Sequence, residues 1–382
     1  MANIQYLWKT PNVIKGHSTA ISLHGHTLYS RESLQFIPDK AERTAMLRWA
    51  LRRQEKRCKS PTADFSHAYW MPPLTPRGAY EIERDQIETK LGLASMVSIT
   101  DHDDIEAPLR LRLLPETRHI PISLEWTVPY ESMRVHLGVH NLPSGSARRW
   151  LSGMQDYTEG SRKVCLEDLL AGLHEIQDLL IVLNHPMWDL CGVGRQAHGD
   201  ALERFLRRHN PFIHAFELGG LRSWEENQRV VDLASVWDQT IVSGGDRHGC
   251  EPNTVLNLTS ASTFADFVRE IRLDRRSNLV FMPQYQQALT VRMIHTVNDV
   301  TQFISGHPLG SRWDDRIFHP DSSGEIRPLS QIWRKAPGFI QVALAALRMV
   351  EAEPVRALVQ YAWGGSRNAS RLRPLGTDGE RA

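Results

Sequence analysis

The sequence has little of what marks secreted, membrane-spanning or thiolate-zinc proteins. It contains four cysteines, Cys58, Cys165, Cys191 and Cys250, and no two of them form a CxxC pair. A thiolate zinc site is therefore not expected, and scattered cysteines fit a reducing compartment. No run of about 18 apolar residues occurs, and residues 1–16 contain no apolar core of a signal peptide. We expect a cytoplasmic protein that does not engage a membrane.

A large net charge is absent as well. The chain has 45 lysines and arginines against 44 aspartates and glutamates, which gives a formal net charge of +1. This balance provides no electrostatic argument for binding nucleic acid or an anionic membrane. The 382 residues, 41% of them hydrophobic, are ordinary for a globular protein and suffice for one large barrel with an appendage.

Histidine, in contrast, is plentiful at 17 residues, and several histidines follow short apolar runs. The first such run leads into His24-Gly25-His26. Residues two apart on a strand point to the same side, so these imidazoles form a ready pair of metal ligands. Gly25 allows the backbone to approach a ligand closely. The alternative interpretation is a turn that contains two histidines and does not bind a metal.

Seven short apolar, β-branched runs predict buried strands. These are Ala20–Leu23, Met96–Thr100, Ile120–Leu124, Arg134–Val139, Leu179–Leu183, Phe212–Phe216 and Thr240–Ser243. Most gaps between them have the three- and four-residue apolar spacing of amphipathic helices. These are Gly78–Leu91, Ser161–Asp178, Asp200–His209 and Ser223–Asp238. Alternating strands and helices predict a parallel sheet, and about seven such units favour a barrel.

Side chains that can bind a metal accompany these strands. They are His24, His26, His102, Glu125, His136, His185, Asp246 and His248. In an α/β barrel the carboxyl ends of the strands converge on one face, where active sites lie. The set exceeds the needs of one tetrahedral zinc ion. We therefore expect two or three divalent ions, zinc, manganese or iron, that share a bridging carboxylate.

These motifs resemble those of the PHP (polymerase and histidinol phosphatase) family. The matching segments, in the family's order, are His24-Gly-His26-Thr27, Thr100-Asp101-His102-Asp103, Glu125 with His136, Asn184-His185-Pro186 and Gly245-Asp246-Arg247-His248. The resemblance implies a distorted (β/α)7 TIM-like barrel, up to three metal ions and phosphoester hydrolysis.

The resemblance also implies how the ligands divide among the ions. The first ion would have four ligands, His24, His26, Glu125 and Asp246. The second would share Glu125 and add His136 and His185. The third would use His102 and His248 together with one ligand from the loop after the first strand.

The sequence departs from the family in that loop. Arg31 and Glu32 stand where many members have aspartate or histidine. Glu32 could supply the missing ligand, because carboxylate oxygen binds the same ions. Alternatively, Arg31 could occupy the space of the third ion and take over its charge.

Several other side chains are candidates for catalysis or substrate binding. Asp246 would hold and orient the attacking water, and Asp101 would orient a ligand, although a turn or helix-cap role is the alternative. Arg247, Arg195 and Arg31 are candidates for binding the phosphate. Arg247 could instead pair with a carboxylate beneath the site, since neighbours at a strand end point in opposite directions.

Three residues outside the motifs have structural alternatives. Glu217 follows a predicted strand without a motif partner, and we interpret it as structural. Trp188 and Trp224 could line a pocket for a ring, whereas packing in the core is the more common fate of tryptophan.

The remaining chain has no chemical motif. We interpret residues 1–260 as the metal-binding barrel, with an insertion at 33–92 between the first two strands. Residues 261–365 are predicted to form a helical C-terminal appendage, with a loop-like stretch at 312–327. Residues 366–382 are polar and contain glycine and proline, which is typical of a flexible tail.

The predicted function is metal-dependent hydrolysis of a phosphomonoester or phosphodiester by a metal-bridging hydroxide. The expected partner is a small phosphorylated substrate, a nucleotide or an oligonucleotide. Two alternatives remain open. The first is an amidohydrolase-type C–N hydrolase, although the carboxylated lysine usual in such enzymes is not apparent. The second is a non-catalytic binding scaffold stabilised by metal.

Overall fold

Two five-stranded sheets and one four-stranded sheet form the framework of the protein in a computed structural model. The structure describes residues 2–35, 67–160, 164–321, 323–333 and 338–351. The predicted α/β class is confirmed. Most of the predicted insertion and the predicted tail at 366–382 lie outside the described residues.

The strands and helices alternate along much of the chain. The strands are β1 (Asn3–Tyr6), β2 (Thr19–Ser22), β3 (Glu32–Ser33), β4 (Tyr69–Trp70), β5 (Ala94–Val97), β6 (Leu124–Tyr130), β7 (Met133–His140), β8 (Leu180–Asn184), β9 (Ala215–Gly219), β10 (Thr240–Gly244), β11 (Val255–Thr259), β12 (Asn278–Phe281), β13 (Ile317–Pro320) and β14 (Ile326–Pro328). The helices are α1 (Pro76–Gln86), α2 (Glu106–Leu111), α3 (Ala147–Thr158), α4 (Leu166–His174), α5 (Arg195–His209), α6 (Trp224–Val236), α7 (Phe264–Arg272), α8 (Leu289–Thr301), α9 (Leu329–Ile332) and α10 (Gly338–Glu351). None of the helices in the described residues is both long enough and apolar enough to cross a membrane.

The two larger sheets are mixed rather than parallel as predicted. The first has the order β1-β12-β11-β2-β5, and the second has the order β10-β9-β8-β7-β6. Strands β8, β9 and β10 are parallel to one another, but β7 is antiparallel to both β6 and β8. The reason is the short connection between β6 and β7, where Glu131 has a positive φ of 51°. A connection this short can join only antiparallel strands.

Two isolated bridges join the larger sheets. His102, beyond the end of β5, pairs with Glu125, and Gly25, beyond β2, pairs with Arg247. Backbone hydrogen bonds of 2.9 Å support both bridges, from the Asp103 amide to the Glu125 carbonyl and from the His26 amide to the Arg247 carbonyl. Among the described residues the sheets do not merge into one continuous closed barrel. The bridges nevertheless bring side chains from both sheets to one place.

Apolar side chains fill the space between the sheets and the helices around them. Helix α7 buries Phe264, Phe267, Val268 and Ile271, which follow the three- and four-residue spacing of one helix face. This face packs in the same core cluster as Ile21 of β2. The helix begins after Thr263, whose hydroxyl accepts the Asp266 amide as an N-cap. Sequence pattern and packing agree for this element.

Three predicted strands are displaced. Of the predicted run Met96–Thr100, only the first two residues belong to β5. Residues 120–123 precede β6, which begins at Leu124, and residues 212–214 precede β9. Ile120 and Ile122 are fully buried outside any ladder, so their apolar character reflects packing rather than strand pairing. Pro121, which has no amide hydrogen to donate, lies between them.

The chain beyond residue 260 is less helical than predicted. Strand β12 pairs with β1 and β11, so the first sheet extends past the predicted end of the barrel. The stretch predicted as a loop at 312–327 contains β13 and the beginning of β14. Strand β13 pairs with β4 in the four-stranded sheet, whose order is β14-β13-β4-β3. The division of the chain into domains stays a prediction.

Buried polar contacts fix α1 beneath the two bridges. The Glu83 carboxylate, 2% exposed, accepts from the Arg247 guanidinium at 3.1 Å and from the Asn253 amide at 3.1 Å. It also accepts from the Ser22 hydroxyl at 3.0 Å. One carboxylate thus connects helix α1, strand β2 and the loop after β10.

We expect Glu83→Ala to destabilise the fold by about 3–5 kcal/mol, because the substitution leaves the buried Arg247 guanidinium without its charge partner. The free energy of unfolding in urea measures the effect. Glu81→Ala is the matched control on the same helix, where Glu81 pairs with Arg77 at an exposed position. This control should leave the urea midpoint unchanged, and equal midpoints for the two variants would contradict the role of Glu83.

Candidate metal centre

The structure brings all of the predicted metal ligands together in one cluster. They are His24, His26, Glu32, His102, Glu125, His136, His185, Asp246 and His248. Three overlapping sets have ligand atoms that all lie within 4.8 Å of one another: His24, His26, Glu125 and Asp246; His102, Glu125 and His136; and His26, Glu32, His102 and His248. His185 joins the cluster through its contact with Glu125. In the order of the ions introduced above, we call His24, His26, Glu125 and Asp246 the first group, Glu125, His136 and His185 the second group, and Glu32, His102 and His248 the third group.

The first group has the dimensions of a small metal site. His24 Nε2 lies 3.1 Å from Glu125 Oε2 and 3.7 Å from Asp246 Oδ1. His26 Nε2 lies 3.4 Å from the same Glu125 oxygen and 3.5 Å from Asp246 Oδ1. Ligands about 2.0–2.2 Å from a tetrahedral ion lie about 3.3–3.6 Å from one another. These four side chains therefore fit one ion.

The second group surrounds the other oxygen of Glu125. Oε1 lies 3.2 Å from His136 Nδ1 and 3.1 Å from His185 Nε2. The Asn184 side-chain amide donates to the same oxygen at 2.9 Å and orients it. Because the two Glu125 oxygens face different histidines, this carboxylate has the geometry of a bridge between two ions.

The third group contains one of the two residues of the divergent loop, Glu32, and does not contain the other, Arg31. Glu32 Oε2 lies 3.3 Å from His102 Nε2 and 3.1 Å from His248 Nε2. Arg31 is exposed, and its guanidinium stacks on the Tyr69 ring at 5.4 Å. The carboxylate therefore lies in the cluster and the guanidinium lies outside it, which argues against the expectation that Arg31 replaces the third ion.

Unpartnered buried atoms test whether the cluster fits metal ions. In the described part of the chain, Glu125 Oε2, His102 Nδ1 and His136 Nδ1 are buried without a hydrogen-bond partner. A buried polar atom left in this state costs about 1–3 kcal/mol. All three atoms face the cluster, and a bound cation would satisfy each of them. The residues present therefore fit divalent ions.

The carboxylates of the cluster are ionised, and protonated imidazoles supply positive charge that bound cations would replace. Burial disfavours the ionised form of Glu125 and Glu32, but the histidines around them hold the pKa of both carboxyl groups well below its usual range. Burial also disfavours a charged imidazole, and it lowers the pKa of His136 to about 4. For His102, the attraction of Glu32 and Glu125 outweighs burial and raises the pKa to about 10. The carboxylates are thus ionised and available to a metal.

Three cluster residues have strained backbone. His24, His185 and Asp246 have φ angles of 61°, 29° and 49°. This left-handed region costs a non-glycine residue about 1–3 kcal/mol, and such strain is typical of functional sites. Each of the three follows a strand of one of the larger sheets by one or two residues. The turn in the backbone directs the side chain back over the strand end.

Glu217 has a specific structural role. His24 Nδ1 donates to Glu217 Oε1 at 2.6 Å, and the His185 amide donates to Oε2 at 2.7 Å. A carboxylate bonded to the far nitrogen of an imidazole orients the ring and leaves the other nitrogen free to bind a metal. A Cβ atom at Gly244 would lie only 1.6 Å from Glu217 Oε1, so the absence of a side chain there makes this contact possible.

The other predicted residues lie outside the cluster. Asp101 accepts from the Thr27 amide at 2.5 Å and from its hydroxyl at 2.7 Å, and burial raises its pKa to about 7. These contacts hold the loop after β2, a supporting role rather than contact with the reacting groups. Arg195 is exposed at the first residue of α5. Its predicted contact with substrate stays a prediction.

Arg247 pairs with a carboxylate beneath the site, which was the alternative to binding the phosphate. Besides Glu83, its guanidinium donates to the carbonyl oxygens of Gly249 at 3.0 Å and His26 at 3.2 Å. All of its nitrogens are thereby engaged beneath the site. The physical reason is that Arg247 alternates with Asp246 and His248 along the chain and points to the opposite side.

Sequence reasoning missed Arg222. This buried arginine donates to Asp246 Oδ2 at 2.6 Å, so that Oδ1 remains directed at the first group. Its guanidinium lies 4.1 Å from the centre of the Trp188 ring, which is 42% exposed and 5.1 Å from the His185 ring. Trp224, in contrast, packs against Phe281 in the core. No motif surrounds Arg222, and its only signal was a position shortly after a strand.

No family model matches the chain, and no curated protein matches it. The resemblance to the PHP family therefore rests on the motifs quoted above.

Solved structures with some similarity include an amidohydrolase from Chromobacterium violaceum, with 15% identity over 46% of this chain and 83% of that chain and a TM-score of 0.34. PsfC from Pseudomonas syringae has 14% identity over 73% and 96% and a TM-score of 0.42. A candidate metal-dependent phosphoesterase from Bifidobacterium adolescentis has 15% identity over 67% and 96% and a TM-score of 0.34. Scores this low establish neither a shared fold nor a shared function.

We expect Gly244→Ala to weaken metal binding about 10- to 100-fold, because the new methyl group displaces the Glu217 carboxylate that orients His24. Titration of the metal-free protein with zinc in competition with a chromophoric chelator measures the affinity. Gly199→Ala is the matched control, since a Cβ atom there meets nothing within 4 Å. Wild-type affinity in Gly244→Ala would refute the positioning role of Glu217.

Proposed function

We propose that this protein is a hydrolase that cleaves phosphoesters with the help of two or three divalent ions held in the cluster. The observation that carries this proposal is the position of Glu125. One of its oxygens faces the first group and the other faces His136 and His185. A carboxylate shared in this way is typical of sites with two ions a few ångströms apart, which suit in-line displacement at phosphorus.

The ligand set favours particular metals. Mixed imidazole and carboxylate ligands suit zinc, manganese and iron, whereas magnesium and calcium prefer oxygen alone. The first ion would be held by His24, His26, Glu125 and Asp246. The second would be held by Glu125, His136 and His185, and the third by Glu32, His102 and His248.

When bound, the ions would lower the pKa of water and neutralise charge on the phosphoryl oxygens. The protein's own contribution is orientation. Arg222 holds Asp246 Oδ2 at 2.6 Å and helps to keep the pKa of this carboxyl group well below its usual range despite burial. An ionised Oδ1 fixed in this way accepts a hydrogen bond from the attacking water and aligns it. Glu217 keeps the His24 ring in place.

Trp188 supports a substrate with a planar group. The Arg222 guanidinium lies 4.1 Å from the centre of the indole ring, and Trp188 is 42% exposed. The indole ring lies 5.1 Å from the ring of His185 in the second group. A nucleotide base or an aryl group could stack there while its phosphoester meets the cluster. We accordingly propose a small phosphorylated molecule or nucleotide as substrate.

The proposed function predicts that metal-free protein takes up two or more zinc or manganese ions and then hydrolyses p-nitrophenyl phosphate or its bis ester. Glu125→Gln should lower kcat/KM about a hundredfold or more and reduce the metal content, because both ions lose their shared ligand. Metal analysis and the release of nitrophenol measure the two effects. Glu131→Gln, at an exposed position on the connection after the same strand, is the control and should behave as wild type.

Two results would contradict this function. The first is a reconstituted protein without bound metal. The second is hydrolysis of amides with no activity on either phosphoester, which would favour the C–N hydrolase alternative.

Trp188→Ala tests the substrate class. We expect kcat/KM for p-nitrophenyl phosphate and for nucleoside monophosphates to fall about 5- to 100-fold, because stacking on an aromatic ring contributes about 1–3 kcal/mol. Hydrolysis of glycerol phosphate, which has no ring to stack, serves as the control and should change little. An equal loss for all substrates would mean that Trp188 supports the site rather than selecting its substrate.

A further inference from the structure

A part of the chain that supplies none of the predicted metal ligands contacts the elements that position the third group. We call residues 289–333 the C-terminal segment; it includes α8, β13, β14 and α9, and residue 322 lies outside the described residues. The segment reaches the third group by two separate routes. One leads to Glu32 and the other leads to His248.

The first route runs through the four-stranded sheet. Glu32 of β3 lies opposite Trp70 of β4, and Trp70 lies opposite Ile317 of β13. The Met71 amide donates to the Arg316 carbonyl at 3.0 Å, which extends the pairing. Residues directly opposite one another in a sheet share a face, so the position of Glu32 depends on that of β13 through Trp70. The Trp70 ring also lies 5.7 Å from the His248 ring.

Arg316 anchors this edge of the sheet. Its side chain is 1% exposed and donates to the carbonyl oxygens of Val300 at 2.9 Å and Gln302 at 2.8 Å. These carbonyls lie at the carboxyl end of α8, where a positive charge is favoured by the helix dipole. The beginning of β13 is thereby fixed to helix α8.

The second route runs from α8 to the loop after β10. The Asp299 carboxylate accepts from the Cys250 amide at 2.6 Å, two residues beyond His248. A Cβ atom at the intervening Gly249 would lie 2.7 Å from Asp299 Oδ2, which shows how closely the helix approaches this loop. In addition, His307 Nε2 donates to the Pro73 carbonyl at 3.0 Å and fixes the chain that follows β4.

We propose that the C-terminal segment is a structural part of the third metal site and that its docking and the binding of the third ion stabilise each other. The segment holds Glu32 from one side and the His248 loop from the other, at the distances that place both side chains on one ion. Asp299 and Arg316 are positioning residues in this arrangement. The inference rests on the metal centre proposed above. Because linkage is reciprocal, an ion that binds better when the segment is docked must also hold the segment in place.

Hydrogen–deuterium exchange of the full chain, without metal and with saturating zinc or manganese, tests this linkage. We expect amides of residues 313–320 to exchange about tenfold more slowly when metal is bound, within the usual range of coupling between sites. In Glu32→Gln this slowing should disappear, whereas the slowing around His24 and Glu125 should persist. A variant that changes only one ligand avoids the risk of disrupting the fold.

A second measurement alters the segment instead of the ligand. Asp299→Ala should weaken binding of the third ion about tenfold in a zinc titration and leave the tighter ions unchanged, because contacts that position metal ligands typically contribute 10- to 100-fold to metal affinity. Asp232→Ala, at an exposed position on α6, is the control and should bind all ions as wild type does.

The outcomes distinguish this inference from the proposed function. Ion binding with unchanged exchange at residues 313–320, or wild-type affinity for every ion in Asp299→Ala, would overturn the inference and leave the function standing. A chain that binds no ion under any condition would overturn both. Slower exchange that depends on Glu32 supports the linkage.

Discussion

The burial of one carboxylate, that of Glu125, is the constraint on which the rest of the site depends. An ionised carboxylate without exposure is tolerated only where other groups compensate its charge. Here imidazoles approach both oxygens, and Asn184 donates a hydrogen bond to one of them. Because one oxygen still lacks a hydrogen-bond partner among the described residues, protein groups alone do not complete the compensation. This unpartnered oxygen is what makes the cluster suited to binding a metal ion rather than a satisfied polar core.

Around this carboxylate, the fold accepts local strain to aim its ligands. Left-handed backbone at His24, His185 and Asp246 has a free-energy cost that neighbouring contacts must offset. Glu217 bonds to two of these residues, and Arg222 bonds to the third. The same supporting groups determine which ring nitrogen and which carboxylate oxygen face the interior of the cluster. The groups that support the strained backbone are therefore also the groups that orient the ligands.

The third group shows how a departure from a family pattern can be accommodated. Glu32 of the divergent loop lies beside His102 and His248. Strand β3 positions Glu32, and the partner strands of β3 come from distant parts of the chain. We propose that the C-terminal segment, which carries none of the predicted ligands, thereby has a role at the site. Its contribution would be positional, through Arg316, Asp299 and the pairing of Ile317 with Trp70.

The sequence by itself determined the α/β class and every member of the ligand cluster except Glu32, because strands and the histidines beside them are marked by local patterns. It could not determine that β7 runs antiparallel or that β1, β11 and β12 complete the first sheet, since pairing depends on partners far away in the chain. Nor could it distinguish the buried Arg247 beneath the site from the buried Arg222 at its edge. Each arginine pairs with a carboxylate that is distant in the chain, Arg247 with Glu83 and Arg222 with Asp246. The choice between Arg31 and Glu32 was likewise made only by tertiary structure, because pairing with β4 decides which of two adjacent residues faces inward.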